Sequence, residues 1–160
     1  MNIIKEIVKK AKGVDATIVL PEAHLDERVK TAAEIVLKKK ISKIIVFGKP
    51  EEYPSAFASE SCQIIDIENY EKLDELTSSL LELRKAKGMT EEDAKIYIKK
   101  PEYFAMMLLK HGLADGVVAG AKFSTADVLR PALQIIKTKP GKASVTGNML
   151  MVKEGFRPLV

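Results

Sequence analysis

Short apolar runs alternate with amphipathic stretches along most of this chain. Stretches with apolar residues at helical spacing predict helices over 25–39 and 70–87, and two more that begin at Thr90 and Pro101. Four runs have the length and composition of buried strands: 16–20 (ATIVL), 43–48 (KIIVFG), 63–67 (QIIDI) and 116–119 (GVVA). Strands separated by helices indicate an α/β fold, with a mostly parallel sheet and helices on both faces.

The pattern predicts a second unit near the end of the chain. A further strand is expected over 144–152, and another begins at 156–160, where the chain stops in mid-pattern. We therefore expect an N-terminal α/β domain over 1–143 and the first strands of a truncated second domain over 144–160. The mixed segment 51–61 predicts a short helix or a loop.

The composition is that of a soluble globular protein, with 46% hydrophobic and 30% charged residues. No apolar run approaches the roughly 20 residues that cross a bilayer, and the charged N-terminus is not a secretory signal. A single cysteine, Cys62, excludes an internal disulfide and fits a reducing cytoplasm. Cys62 begins an apolar run, so we expect a buried, inert thiol.

The basic residues favour anionic small molecules over nucleic acid. They lie beside acidic residues along helical patterns, with no arginine cluster, no interleaved aromatics and no Trp. Only four of the 26 are arginine: Arg28, Arg84, Arg130 and Arg157. Arginine offers a planar, bidentate donor for phosphate or carboxylate, which makes these four candidate ligands. A lysine bias can also come from codon usage alone.

Residues 115–138 (DGVVAGAKFSTADVLRPALQIIKT) combine the features of an anion site. A short strand and a Gly-Ala turn precede Ser124 and Thr125, which stand at the N-cap of a helix. Backbone N–H groups in such a strand–turn–helix unit can point at an anion. Arg130 lies about one and a half turns further on, and Pro131 predicts a break there, with a new helix over 131–137. Alternatively, Ser124 and Thr125 are ordinary caps.

Other polar groups follow the first strand, at the sheet edge where ligands of open α/β sheets bind. They are Glu22, His24, Asp26 and Arg28. An N-cap at Asp26 followed by surface charges explains the same spacing equally well. His24 has no partner at metal-ligand spacing, so no metal is expected.

Two further groups lie where predicted helices end. Arg84 and His111 both suit the negative end of a helix dipole, and Arg84 is alternatively a phosphate ligand. The chain has no GxxxxGK[ST], GxSxG or CxxC motif, and GVVAGA lacks the GxGxxG spacing.

Four segments together resemble the phosphate acetyltransferase (phosphotransacetylase) family. The family patterns are LPE-x-x-D-x-R, LRK-x-KG-[MI]-T, SGA-x-x-ST-A/G-D-x-x-RPALQIIKT-x-PG and SG-x-F-x-M. The corresponding segments here are IVLPEAHLDERV, LELRKAKGMT, GVVAGAKFSTADVLRPALQIIKTKPG and TGNMLMV, in family order. The resemblance covers essentially the whole chain. It implies an isocitrate-dehydrogenase-like fold, in which two α/β domains enclose the active site.

The resemblance also implies a reaction, acetyl-CoA plus phosphate giving CoA plus acetyl phosphate. It assigns catalytic roles to Arg130 and Arg84, and substrate binding to Arg28, Ser124 and Thr125. Coenzyme A is a substrate, no resident cofactor or metal is needed, and the partners are small molecules. We also expect a homo-oligomer, with no nucleic-acid or membrane partner.

Two departures limit what the resemblance implies. Phe123 stands where family members often have histidine. Family enzymes are about twice as long, and the N-D-L-S-R-G segment taken to supply their general base is absent here. We therefore expect an N-terminal fragment that is inactive alone. The alternatives are a non-catalytic phosphate- or acyl-phosphate-binding paralogue, an enzyme of the butyryl type, and the related domain of some malic enzymes.

Overall fold

The computed structural model describes residues 3–147 and 150–151, which form a parallel sheet covered by helices. The strands are β1 (Thr17–Leu20), β2 (Lys43–Phe47), β3 (Cys62–Ile65) and β4 (Gly116–Val117). The helices are α1 (Ile3–Lys12), α2 (Glu27–Lys38), α3 (Leu73–Arg84), α4 (Glu91–Ile98), α5 (Pro101–Lys110) and α6 (Thr125–Pro131). The predicted α/β class is confirmed.

The sheet has the strand order β3-β2-β1-β4, and every pair of neighbours is parallel. Because side chains alternate along a strand, each strand contributes to both faces. Ile45 and Phe47 of β2 pack in one core with α3, α4 and α5. Ile44 and Val46 pack in a second core, with α2. Helices therefore cover both faces of the sheet, as the sequence pattern predicts.

Helix α5 anchors the larger core. Six of its consecutive side chains, from Tyr103 to Leu108, are buried. The ring of Phe104 packs edge-on against Phe47 and Tyr70, with ring centroids 5.3 Å apart in both pairs. Pro101 begins the helix, at the position where its missing N–H removes no hydrogen bond. This buried helix is the support on which the residues after β4 are arranged.

Several elements are shorter than predicted. The helix expected over 70–87 is α3 followed by a 3₁₀ turn at Lys85–Lys87, and segment 51–61 forms 3₁₀ turns. Strand β4 covers only half of the run 116–119. Its neighbour β1 ends at Leu20, and the chain turns away at Pro21, so the last bond of the ladder runs from the Val118 N–H to the Val19 carbonyl.

The helix break predicted before Pro131 is wrong. Pro131 is the last residue of α6, and a π-helical turn, Ala132–Ile136, follows it directly. Pro131 has φ −63°, which fits an α-helix, so it continues the helix despite its missing N–H. The hydrogen-bond pattern changes only afterwards, where the Lys137 N–H donates to the Ala132 carbonyl, five residues back.

The predicted second unit is only partly covered by the described residues. Residues 144–147 form no strand, and Met151 makes an isolated bridge. The strand expected over 156–160 lies outside the described residues, as do 148–149 and 152. The domain boundary after residue 143 stays a prediction.

Candidate functional site

The segments that follow β1 and β4 meet at one edge of the sheet, because these two strands are neighbours. Glu22, from the turn after β1, lies beneath the loop 120–123 and is 1% exposed. Its Oε2 accepts hydrogen bonds from the N–H groups of Gly120 (2.7 Å) and Ala121 (3.0 Å). Its Oε1 accepts from Lys122 (2.6 Å) and Phe123 (2.5 Å). Four consecutive amides therefore surround one carboxylate.

This arrangement modifies the anion site expected from the sequence. The amides after β4 do point at an anion, but that anion is the chain's own Glu22 carboxylate. Gly120 has φ +108°, a conformation that glycine adopts readily and that starts the turn of the loop. Burial raises the pKa of the Glu22 carboxyl, but the four N–H donors outweigh burial, so its pKa lies below the ordinary value. Glu22 is therefore ionised at neutral pH.

Two side chains tie the same loop to the segment after β1. Arg28 donates from Nη2 to the Ala121 carbonyl (2.9 Å), and Lys122 donates from Nζ to the Leu25 carbonyl (3.2 Å). Arg28 also pairs with Asp26, whose Oδ1 accepts the Arg28 backbone N–H and caps α2. The capping role of Asp26 is confirmed. Arg28 nevertheless keeps three-quarters of its side chain exposed.

Helix α6 begins with a reciprocal cap. The Ser124 hydroxyl donates to Asp127 Oδ2 (2.7 Å) and accepts the Asp127 N–H (3.2 Å), and the Ser124 N–H donates to the same carboxylate. Ser124 is thus the N-cap, as the sequence predicts. Thr125 is the first helical residue, and its side chain is exposed.

The two predicted catalytic arginines are brought to one region. Burial raises the pKa of Tyr103, and the positive charges of Arg130 and Arg84 both oppose that shift, so both guanidinium groups act electrostatically on Tyr103. The Tyr103 hydroxyl donates to Gln134 Oε1 (2.9 Å) in the π-helical turn. Arg84 and Gln134 line a small cavity of about 180 Å³, together with Lys87, Gly88, Met89, Asp93 and Tyr97.

Arg84 and Arg130 form no ion pair among the described residues. The pKa of Asp127 is nevertheless lowered by its hydrogen bonds with Ser124 and, more weakly, by the positive charge of Arg130. The Nε of Arg84 is buried and has no hydrogen-bond partner within residues 3–147 and 150–151, although the side chain as a whole is only half-buried. Arg130 is exposed. A buried donor left without a partner costs free energy unless a ligand or water satisfies it, which suits an anionic ligand at this place.

Other candidate residues lie apart from this region. His111 ends α5 and its Nε2 lies 2.9 Å from Ser79 Oγ, in agreement with the predicted C-terminal position. Cys62 is half-buried, and burial raises the pKa of its thiol to about 11, so the thiol is protonated at neutral pH. The buried Nδ1 of His24 has no hydrogen-bond partner in the part of the chain that the structure describes, and burial lowers the pKa of that ring. Arg157 lies outside the described residues.

The part of the chain that the structure describes contains no group of three His, Cys, Asp or Glu side chains placed to hold a metal ion. Within the same part, no helix is long and apolar enough to cross a membrane.

The roles of three residues were missed by sequence reasoning. Glu22 was a candidate ligand for an outside molecule, whereas the structure makes it an internal acceptor. Tyr103 and Gln134 were not singled out. One signal could have revealed the role of Glu22. It is a lone carboxylate directly after a buried strand, combined with a Gly-Ala turn after another strand. No local pattern marks Tyr103, because its partner lies 31 positions away.

Comparison with known proteins finds a matching family and several similar relatives. The model of the phosphate acetyl/butaryl transferase family matches residues 2–159. A phosphate acetyltransferase of Acetivibrio thermocellus is 46% identical over 155 residues, which are 95% of this chain and 46% of that protein. One of Bacillus subtilis is 39% identical over 158 residues, which are 95% of this chain and 48% of the relative.

Solved structures give the same result. A phosphotransacetylase from Streptococcus pyogenes has a TM-score of 0.84 and 39% identity, over 95% of this chain and 47% of its own. The EutD phosphotransacetylase from Staphylococcus aureus has a TM-score of 0.81 and 36% identity, over 96% of this chain and 48% of its own. The chain thus spans about half the length of the relatives it matches.

Proposed function

Because the chain belongs to the phosphate acetyl/butaryl transferase family, we propose that it forms one wall of a site that exchanges phosphate and coenzyme A on an acyl group. The reaction is acetyl-CoA plus phosphate giving CoA plus acetyl phosphate. Since the chain spans about half of its relatives, we assign the turnover to the complete protein. To this chain alone we assign the binding of phosphate or acyl phosphate.

One observation carries the proposal: Arg84 and Arg130, which form no ion pair among the described residues, both act electrostatically on Tyr103, and the buried Nε of Arg84 has no hydrogen-bond partner there. Phosphate and acyl phosphate are anions that guanidinium groups bind through paired hydrogen bonds. In acyl transfer, negative charge moves onto oxygen as the tetrahedral transition state forms, and fixed cations stabilise that charge.

In the proposed site, Arg130 and Arg84 stabilise the transition state. Ser124, Thr125 and Arg28 contribute to substrate binding. No described residue is assigned as the general base, and the family segment associated with that role has no counterpart in the sequence. Turnover by this chain alone should therefore be negligible.

The partners in this proposal are coenzyme A, phosphate and acetyl phosphate. Coenzyme A acts as a substrate, and the chemistry calls for no resident cofactor, since a thiolate attacks an acyl phosphate without a metal. We further propose a cytoplasmic, homo-oligomeric protein.

The acyl group is proposed to be acetyl. The family includes enzymes for acetyl and butyryl groups, whereas the relatives described above are phosphate acetyltransferases. Initial rates of the complete protein with acetyl-CoA and butyryl-CoA at equal concentrations would decide between them. Faster turnover of butyryl-CoA would overturn the acetyl assignment.

Two measurements on this chain test the proposal. Calorimetric titration with inorganic phosphate and with acetyl phosphate should show saturable binding. An assay for CoA-dependent formation of acetyl phosphate should show no turnover above the protein-free rate. Absence of binding would contradict the proposed site, and robust turnover would contradict the assignment of activity to the complete protein alone.

A further inference from the structure

We propose that Glu22 is a positioning residue of the acyl-transfer site, and that the amides of loop 120–123 hold Glu22 rather than substrate. This inference rests on the proposed function. It differs from what a strand–turn–helix unit suggests by itself, which is that these amides bind the substrate anion.

The hydrogen bonds around Glu22 leave no donor of this loop for another anion. Each carboxylate oxygen accepts two N–H groups, from Gly120 and Ala121 on Oε2 and from Lys122 and Phe123 on Oε1. An ionised carboxylate accepts about four hydrogen bonds, so this one is saturated. Being 1% exposed, Glu22 is also closed to solvent. Substrate oxygens are therefore left to side chains, chiefly those of Arg84 and Arg130.

The position of Glu22 connects it to the proposed site through the backbone. The loop that it holds runs directly into Ser124, the N-cap of α6, and α6 carries Arg130 in its last turn. Hydrogen bonds from Arg28 and Lys122 join the same two segments but lie on exposed side chains. The hydrogen bonds to the buried Glu22 carboxylate are thus the principal interaction that fixes the position at which α6 begins.

The charges that face Glu22 come from both segments. Arg28 and Lys122 are cations beside the loop, and His24 interacts electrostatically with Glu52, Lys122 and Lys30. None of them replaces the carboxylate as an acceptor. In the variant Glu22→Gln, one oxygen remains, and the new NH₂ group faces amides that also donate. Two of the four N–H groups then lose their acceptor.

The first test compares amide proton exchange in the wild-type chain and in Glu22→Gln by nuclear magnetic resonance. At least two of the four amides of residues 120–123 should lose protection by about tenfold or more, the effect of losing a hydrogen bond to a charged group. The control is Glu27→Gln, an exposed carboxylate five positions on that pairs with Lys30; it should leave these amides protected. Unchanged protection in Glu22→Gln would overturn the proposal.

The second test adds inorganic phosphate to the same labelled proteins. In the wild type, the side-chain Nε resonances of Arg84 and Arg130 should shift, while the amides of 120–123 stay in place. Phosphate affinity should fall about tenfold in folded Glu22→Gln and stay unchanged in Glu27→Gln. Shifted loop amides in the wild type, with tighter binding by Glu22→Gln, would show that Glu22 competes with substrate, which overturns the proposal.

These tests remain decisive if one of them fails. If Glu22→Gln does not fold, the phosphate titration of the wild type alone decides whether the loop amides contact phosphate. If the wild type binds no phosphate, the proposed function is contradicted, and the comparison of amide protection still decides whether Glu22 holds the loop.

Discussion

Asp26 and Arg28 hold each other through several hydrogen bonds, although they lie only two positions apart. Arg28 donates from Nε to Oδ1 (3.0 Å) and from Nη2 to Oδ2 (2.7 Å), and its backbone N–H reaches the same carboxylate. These bonds lower the pKa of Asp26 to about 2. Because the folded pKa lies below the ordinary value, the stabilisation is complete above that value and is lost as the pH falls toward about 2.

We predict that Asp26→Asn reduces the acid sensitivity of folding. Asparagine can still cap α2, but it carries no charge for Arg28 to bind. Between about pH 6 and about pH 3, the free energy of unfolding should therefore fall more steeply in the wild type than in Asp26→Asn. Urea unfolding at both pH values measures this difference, with Glu27→Gln as the control. If the free energy of unfolding fell equally with pH in the wild type and in Asp26→Asn, the Asp26–Arg28 pair would not be the source of this acid sensitivity.

Two helices begin with the same reciprocal cap, which offers a matched comparison at the scale of elements. Thr90 and Asp93 cap α4 as Ser124 and Asp127 cap α6. Sequence spacing predicts both, because each cap is complete within four consecutive residues. The cap of α4 borders the cavity that Arg84 lines, through Asp93, but only Ser124 is a proposed substrate ligand.

We predict that Ser124→Ala and Thr90→Ala each lower the free energy of unfolding by about 1 kcal/mol, the usual cost of a lost N-cap. Only Ser124→Ala should also weaken the binding of inorganic phosphate, since Ser124 is a proposed substrate ligand. Urea unfolding and calorimetry measure the two effects. Equal phosphate affinity in the two variants would show that Ser124 is a cap and nothing more.

Local pattern predicts the kind of each element better than its extent. The predicted positions of the strand centres are correct, because burial alone determines which apolar residues lie there. The end of β4 depends on its neighbour β1, which turns away at Pro21. The π-helical turn Ala132–Ile136 places Ile135 in the core with no exposed surface. Such features depend on packing against distant segments, so a local pattern could not predict them.

At the scale of the whole molecule, an apolar stripe lies open beside the proposed site. It follows α6 and the π-helical turn, with Leu129 47%, Leu133 49% and Ile136 36% exposed. Contiguous apolar surface of this kind commonly mediates association. The stripe therefore fits the predicted homo-oligomer.

We predict that the isolated chain self-associates through this stripe and that Leu133→Lys weakens the association. Sedimentation velocity over a range of protein concentrations measures it. The control is Ile35→Lys, which changes a comparably exposed side chain of α2 (45%). A chain that stays monomeric at all concentrations, or equal effects of the two variants, would contradict the prediction.

The family could be predicted from sequence because its motifs are continuous in the chain. The same motifs identify Arg84 and Arg130, but they say little about what surrounds these residues. Glu22 meets the loop after β4 across 98 to 101 positions, so its role depends on the pairing of β1 with β4. A sequence motif marks such a residue without revealing its partner.

The most direct test of the central claim is a calorimetric titration of this chain with acetyl phosphate, in the wild type, Arg84→Ala, Arg130→Ala and the double variant. Arg130→Ala should weaken binding by about 1.5–3 kcal/mol and barely alter the free energy of unfolding. The double variant should lose less than the sum of the single losses, because both arginines bind one anion. Lys10→Ala, an exposed cation of α1, should bind normally. Wild-type affinity in both single variants would contradict the account.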